Sequence, residues 1–247
     1  MLASCTAPQP NFVQTTIDLP AYRSFLVPRP LLPFRATGSL RFTYAGEAQA
    51  GEFILFGSPL RAYRMQLLAP VTGALALELR FDRERMLLLD FARDTYFLGG
   101  NTRENRERWI DLDITPAEFL LMVSGRISEA DFAAAGGRWI SGKQAQMTVG
   151  SVTYTFWLDG HGLPARWNKM EHGQLLYRVE YREYLSVPTA SGPPLRLPRK
   201  LRVYTGEGAP TMILGVREFL PGARSLNPVA FVPPAGREWR FTPLPSR

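Results

Sequence analysis

The chain has 247 residues, 45% of them hydrophobic, and carries a formal net charge of +7. That length suits one large all-β unit or two smaller ones, and no apolar run reaches the ~18–20 residues of a membrane-spanning helix. A single cysteine excludes an internal disulfide and a thiolate metal cage.

The chain opens on Leu2-Ala3-Ser4-Cys5, which has the pattern of a bacterial lipobox, the tetrapeptide that ends a lipoprotein signal sequence. Only Met1 precedes it, so this reading implies a longer precursor, with Cys5 as the acylated residue. Thr6 to Pro33 is punctuated by six prolines and reads as a tether leading to a short helix or extended segment around Leu19 to Leu26. From Phe34 the pattern turns to period two. Leu40, Phe42 and Tyr44 alternate with polar neighbours, as do Tyr63, Met65 and Leu67, then Leu75, Leu77, Leu79 and Phe81. Such alternation predicts antiparallel strands with one wet and one apolar face. Turns are expected at Ala45-Gly46, Gly57-Ser58-Pro59, Pro70 to Gly73 and Asp82-Arg83.

The period then changes. Asn101 to Trp109 reads as helical, and Thr115-Pro116-Ala117-Glu118 combines a capping residue, a first-turn proline and a glutamate three places on. Phe119, Leu120, Met122 and Val123 follow, and Gly125 supplies the stop. Ser128 to Asp131 begins a second short helix that ends at Gly136-Gly137. Strands resume over 145–149, 152–158, 165–170, 175–184, 200–205 and 212–219, before a proline-rich tail. A sheet of roughly ten strands with one apolar face must cover that face. A few short helices cover only part of it, which leaves a greasy hollow or a core filled by side chains.

Little in the sequence carries catalysis. His161 and His172 sit in glycine-flanked turns, and no nucleophile elbow, phosphate loop or histidine pair occurs. Asp111 and Asp113 precede a capped helix, where acidic residues are favoured without any metal. Glu104 and Glu107 with Arg103, Arg106 and Arg108 read as a solvated helix face. All but three of the 29 basic residues are arginine, scattered singly apart from Arg196 to Arg202. This is not the clustered footprint of a nucleic-acid binder. The expected class is a binding protein with no enzyme activity, cofactor or metal.

The lipobox-like start, the strand Gly38-Ser39-Leu40-Arg41-Phe42, the hairpin Met65 to Leu79, the helix ending Leu120 to Gly125, and the closing Pro198 to Leu201, Leu226-Asn227-Pro228 and Phe231 to Gly236 resemble the outer-membrane lipoprotein receptor family LolB, related to the periplasmic carrier LolA. The resemblance implies a mainly β fold with inserted helices, a single incomplete antiparallel barrel under a helical lid. It would span residues 34–236, with residues 1–33 as lipobox and tether and 237–247 as a tail. It further implies acyl-chain binding in the hollow, a LolA-like carrier as partner, and a lipid-anchored monomer on the periplasmic face of the outer membrane. Val71 matches the exposed apolar residue of the family's membrane-contacting loop, where the family has leucine. Expected cavity residues are Phe42, Tyr63, Met65, Leu77, Phe119, Met122, Tyr154, Phe156 and Tyr177. The same positions form an ordinary core if the hollow is filled, which would make the chain a structural or regulatory lipoprotein of the same fold.

Overall fold

The computed structural model describes residues 24–28, 33–44, 47–58, 62–110, 112–188, 194–223 and 231–241. Cys5, most of the proline-rich tether, Asp111 and Leu226-Asn227-Pro228 lie outside them. In chain order the elements are β1 (Leu26–Val27), β2 (Phe34–Tyr44), β3 (Glu47–Gly57), β4 (Tyr63–Leu68), β5 (Leu75–Phe81), β6 (Arg85–Asp90), β7 (Thr95–Gly100), α1 (Arg103–Ile110), α2 (Pro116–Ser124), β8 (Ile127–Ser128), α3 (Glu129–Ala134), β9 (Arg138–Ser141), β10 (Gln144–Val149), β11 (Val152–Leu158), β12 (Pro164–Glu171), β13 (Gln174–Val187), β14 (Leu195–Tyr204), β15 (Met212–Pro221) and β16 (Arg240–Phe241).

Fourteen of the strands form one sheet, in the order β16-β7-β6-β5-β4-β3-β2-β15-β14-β13-β12-β11-β10-β9. All its pairings are antiparallel except the short parallel contact of β16 with β7. The β2–β15 pairing joins the N-terminal strands to the C-terminal ones, so the helices inserted between β7 and β9 lie across the middle of the sheet. A strand-to-strand twist of about 20° over so many strands curls the sheet into a trough. Register shifts at Tyr181/Glu183 in β13 and Val216/Glu218 in β15 add local bend. The sheet does not close into a barrel; β9 and β16 remain its two edges.

The inner face is apolar and packs against the helices. Leu40, Phe53, Leu55, Tyr63, Phe156, Trp167, Val179, Leu201, Val203 and Leu214 are all buried in a single cluster with Phe119, Met122 and Val123 of α2. Gly38 lies on this face, where its missing side chain lets β15 and the Phe53 ring close in: a Cβ there would stand 1.9 Å from the Gly215 carbonyl oxygen and 2.9 Å from Phe53 Cε1. Gly38→Ala is therefore expected to cost about 1–3 kcal/mol through forced strand separation, measured as a lower denaturation midpoint with an unchanged m-value.

Both ends of the described chain dock on this body. Phe25 is fully buried, its ring 5.0 Å from Phe156 and 6.5 Å from both Phe132 and Trp139, and β1 pairs in parallel with β8. Ser24 to Pro28, assigned above to the tether, is thus packed onto the sheet. The segment 231–241 crosses the outer face of β6 and β7. There Phe231 covers Leu87 and Leu89, and Trp239 meets Phe91 at 5.0 Å. Below it Glu78, 1% exposed, is held by Arg64, Gln66 and Arg80 at 2.5–2.9 Å. Burial pushes its carboxyl upward, but these hydrogen bonds and cations bring it below the usual glutamate range.

Candidate functional site

The inserted helices divide the trough into two hollows. The helix between them is α2, and its position is set locally. Glu118 N–H donates to Thr115 Oγ1 at 3.3 Å, while Glu118 Oε2 accepts from Thr115 N–H at 2.6 Å, a complete capping box. Pro116 starts the helix, and Gly125 ends it at φ 62°, its N–H donating to Leu121 O at 2.7 Å. A Cβ on Gly125 would meet Pro198 Cγ of β14 at 2.9 Å, so glycine serves both the left-handed stop and the close seat on the sheet.

On one side of α2 is a dry hollow of about 40 Å³, bounded by Leu40, Phe42, Met65, Leu79, Phe81, Met86, Leu112, Ile114, Phe119 and Met212, with Asn101 and Arg106 at its margin. It has room for no more than a few waters. On the other side is a hollow of about 500 Å³ between α2, α3 and the inner faces of β10 and β11. That volume lies within the range of ordinary small-molecule sites. Its wall mixes Val27, Leu120, Leu121, Ile127, Met147 and Val149 with Ser124, Arg126, Ser128 and Asp131. The partition is aromatic. Phe119 faces the dry hollow, Tyr63 the large one, and their rings lie 6.3 Å apart edge-on. Both pack on Phe81, at 5.8 Å and 5.3 Å.

The expected cavity residues separate accordingly. Phe42, Met65 and Phe119 line the dry hollow, and Tyr63 and Tyr154 the large one. Leu77, Met122, Phe156 and Tyr177 are buried in the packed core and line neither. Val71 stands at the tip of the β4–β5 hairpin, 95% exposed, in a turn closed by Gly73 N–H to Ala69 O at 2.9 Å. His161 and His172 occupy turns as expected, the latter at φ 49°.

Beneath the lid lies a buried ionic network that sequence reading missed. Lys169 on β12, 2% exposed, sits in register between Tyr154 on β11 and Tyr177 on β13. Its Nζ donates to Asp113 Oδ2 and Asp113 O, each at 2.8 Å, and lies 3.0 Å from Glu118 Oε1. Tyr154 Oη donates to the same Glu118 oxygen at 2.7 Å. Arg106 reaches Asp113 Oδ1 at 2.5 and 2.9 Å and Asn101 O at 2.7 Å. Arg106 is therefore not on a solvated helix face but buried, because α1 turns it towards Asp113. The network ties α1, the loop after it and α2 to the floor of the sheet. Burial pushes the Asp113 carboxyl up, but Lys169 and Arg106 bring it below the ordinary aspartate range. Burial, then the Glu118 carboxylate, drives the Tyr154 hydroxyl well above the tyrosine range, so it stays a donor. Arg103 on α1 adds an outer tie to Glu171 of β12 at 2.5 Å.

No known family model and no curated protein sequence matches the chain. Solved structures do. A LolA superfamily protein from Nitrosomonas europaea is 9% identical, with a TM-score of 0.52 over 84% of this chain and 92% of that one. A domain from Vibrio parahaemolyticus assigned to outer membrane lipoprotein sorting is 9% identical, with a TM-score of 0.51 over 80% of this chain and 88% of its own. A DUF1329 family protein from Desulfovibrio piger is 7% identical, with a TM-score of 0.51 over 78% and 87%. At such identity the likeness is one of fold: this chain is built on the same open, mainly antiparallel sheet curved around a few helices.

Proposed function

We propose that this chain is a non-enzymatic acyl-chain binder of the bacterial cell envelope that assists delivery of lipoproteins or lipids to the outer membrane. The observation that carries the reading is the trough itself: a 500 Å³ hollow with a mixed rim beside an all but apolar one, separated by α2 and the Tyr63–Phe81 stack against it. Moving an acyl chain of ~14 methylenes from an apolar site into water costs about 11 kcal/mol, at ~0.8 per methylene. A carrier therefore needs an enclosed lining, and a lidded trough provides one. The fold shared with a LolA superfamily protein and a lipoprotein-sorting domain supports the same reading. Cys5 would be the lipid anchor and a LolA-like carrier the loading partner, with the protein acting as a monomer on the periplasmic face.

A second reading has its own support. The dry hollow is only about 40 Å³, and much of the inner face is solid core, as in a structural or regulatory lipoprotein of this fold. Native mass spectrometry of gently purified protein separates the two. A mass increment matching one or more acyl lipids is expected; a clean apo mass, together with no uptake of added fatty acid, would leave the second reading.

In the proposed function Val71 touches the membrane during release. Its burial in a bilayer contributes only about 1–2 kcal/mol, enough to guide contact and not to hold the protein there. Val71→Glu is expected to leave the melting temperature and acyl-probe affinity unchanged while slowing probe transfer to liposomes several-fold. Equal loss of binding and transfer would remove the loop from the mechanism.

A further inference from the structure

The outer face of β11–β14 carries a cluster that the hollow does not use. Inward Phe156, Trp167, Val179, Leu201 and Val203 turn their neighbours outward. Register then places Trp157, Arg166, Glu180 and Arg202 in one row across four strands, and Asn168 beside Arg178 in the next. With strands ~4.8 Å apart, Arg166 and Arg202 are about 10 Å from each other, flanking Glu180. Glu180 is already engaged by Arg178 at 3.2 Å and Arg182 at 2.8 Å. Arg166 and Arg202 form no ion pair among the described residues. The Nε–H groups of Arg166 and Arg202 and the Asn168 Oδ1 are covered by neighbours and make no hydrogen bond, while Arg178 Nε has only its ion pair with Glu180. Three such groups side by side are a cost that folding alone does not explain. Arg166 lies 4.0 Å over the Trp157 ring and Arg178 4.7 Å over Tyr204, which fixes the planes of both guanidiniums.

We propose that this patch docks a carboxylate-rich segment of a polypeptide partner. Pre-oriented guanidinium forks match carboxylates two bonds at a time, and arginine with tryptophan and tyrosine is the composition of protein-interface hot spots. An anionic bilayer fits less well: lysine is absent from the cluster, and a segment with spaced carboxylates can seat them on Arg166 and Arg202 to either side of Glu180, whereas a continuous anionic surface must face that carboxylate. Docking on the outer face leaves the hollow free, so the proposal stands or falls independently of acyl binding.

The test uses the intact protein and a fluorescent peptide of alternating glutamate and serine, followed by anisotropy at low and moderate salt. The triple variant Arg166→Gln/Arg178→Gln/Arg202→Gln should bind at least tenfold more weakly than wild type. The control Arg83→Gln/Arg138→Gln/Lys143→Gln, which removes the same charge from exposed sites elsewhere, should lose no more than threefold. Equal losses would reduce the effect to net charge and overturn the proposal. Binding to phosphatidylglycerol vesicles that falls selectively in the patch variant would overturn it too, in favour of a membrane. Should the triple variant melt early, Glu180→Gln decides instead: it leaves every arginine in place and should tighten peptide binding several-fold. No gain there overturns the proposal.

Discussion

Lys169→Met is expected to lower the melting temperature by roughly 10 °C at pH 7. Among the described residues the change leaves Glu118 without a cation within ion-pair distance, and Asp113 with Arg106 close by and Arg103 only at 4.0 Å. Stranding one partner of a buried pair costs about 3–5 kcal/mol, and each kcal/mol moves a domain of this size by about 2–4 °C. Adding Glu118→Gln should recover at least half of the loss. Glutamine keeps an oxygen to accept from Thr115 N–H and turns its amide NH2 towards the Tyr154 hydroxyl, which then accepts, and it removes the uncompensated charge. A double variant no more stable than the single one would mean that Lys169 acts through packing.

The pH dependence gives the same network a sign. Asp113 has a depressed folded pKa, so its contribution is fully present above the ordinary aspartate value and is lost as pH falls through the folded one. Wild type should therefore weaken on strong acidification. In Lys169→Met a buried carboxylate without a cation gains from taking up a proton, so the variant should lose less, or gain, between pH 7 and pH 4.5. The two melting curves should converge. Since the network fastens α1 and α2 to the sheet, the variant should also exchange bound acyl probe faster.

Most of the architecture was legible because alternation and capping are local signals. The strands from β10 to β15 and the α2 capping box follow directly from residues adjacent in sequence. β6 was not legible, for a physical reason. Its Met86-Leu87-Leu88-Leu89 run does not alternate because both of its faces are buried, the inner one by the core and the outer one by Phe231. The ionic network escaped because its members lie far apart in the chain. One signal was available: Lys169 shares the inward phase of Trp167, a position where a lysine needs a partner. The division of apolar positions into hollow and core had no sequence signature at all. Phe42 and Leu77 look alike in pattern, and only the placement of α2 distinguishes them.

Phe119→Ala tests whether that placement limits the guest. Emptying a buried phenylalanine site costs about 3–5 kcal/mol, so the unliganded variant should melt roughly 10 °C lower. The same deletion opens the partition. With the ring gone, only the Tyr63–Phe81 stack is left of the aromatic partition, and the large hollow is expected to extend beside it towards Met65 and Met86 of the dry one. In wild type, fatty-acid affinity should rise with chain length and then level off once the large hollow is filled. In the variant it should keep rising, since each further buried methylene adds ~0.8 kcal/mol. Three or four more methylenes would contribute about 2.4–3.2 kcal/mol, an affinity gain of roughly 60- to 200-fold for the longest chains. Long-chain ligand should also recover much of the lost melting temperature, through preferential binding to the folded state. Titration calorimetry across saturated fatty acids from eight to eighteen carbons reads both curves. If both level off at the same length, α2 is not what bounds the guest, and the two hollows are separate features of a packed interior.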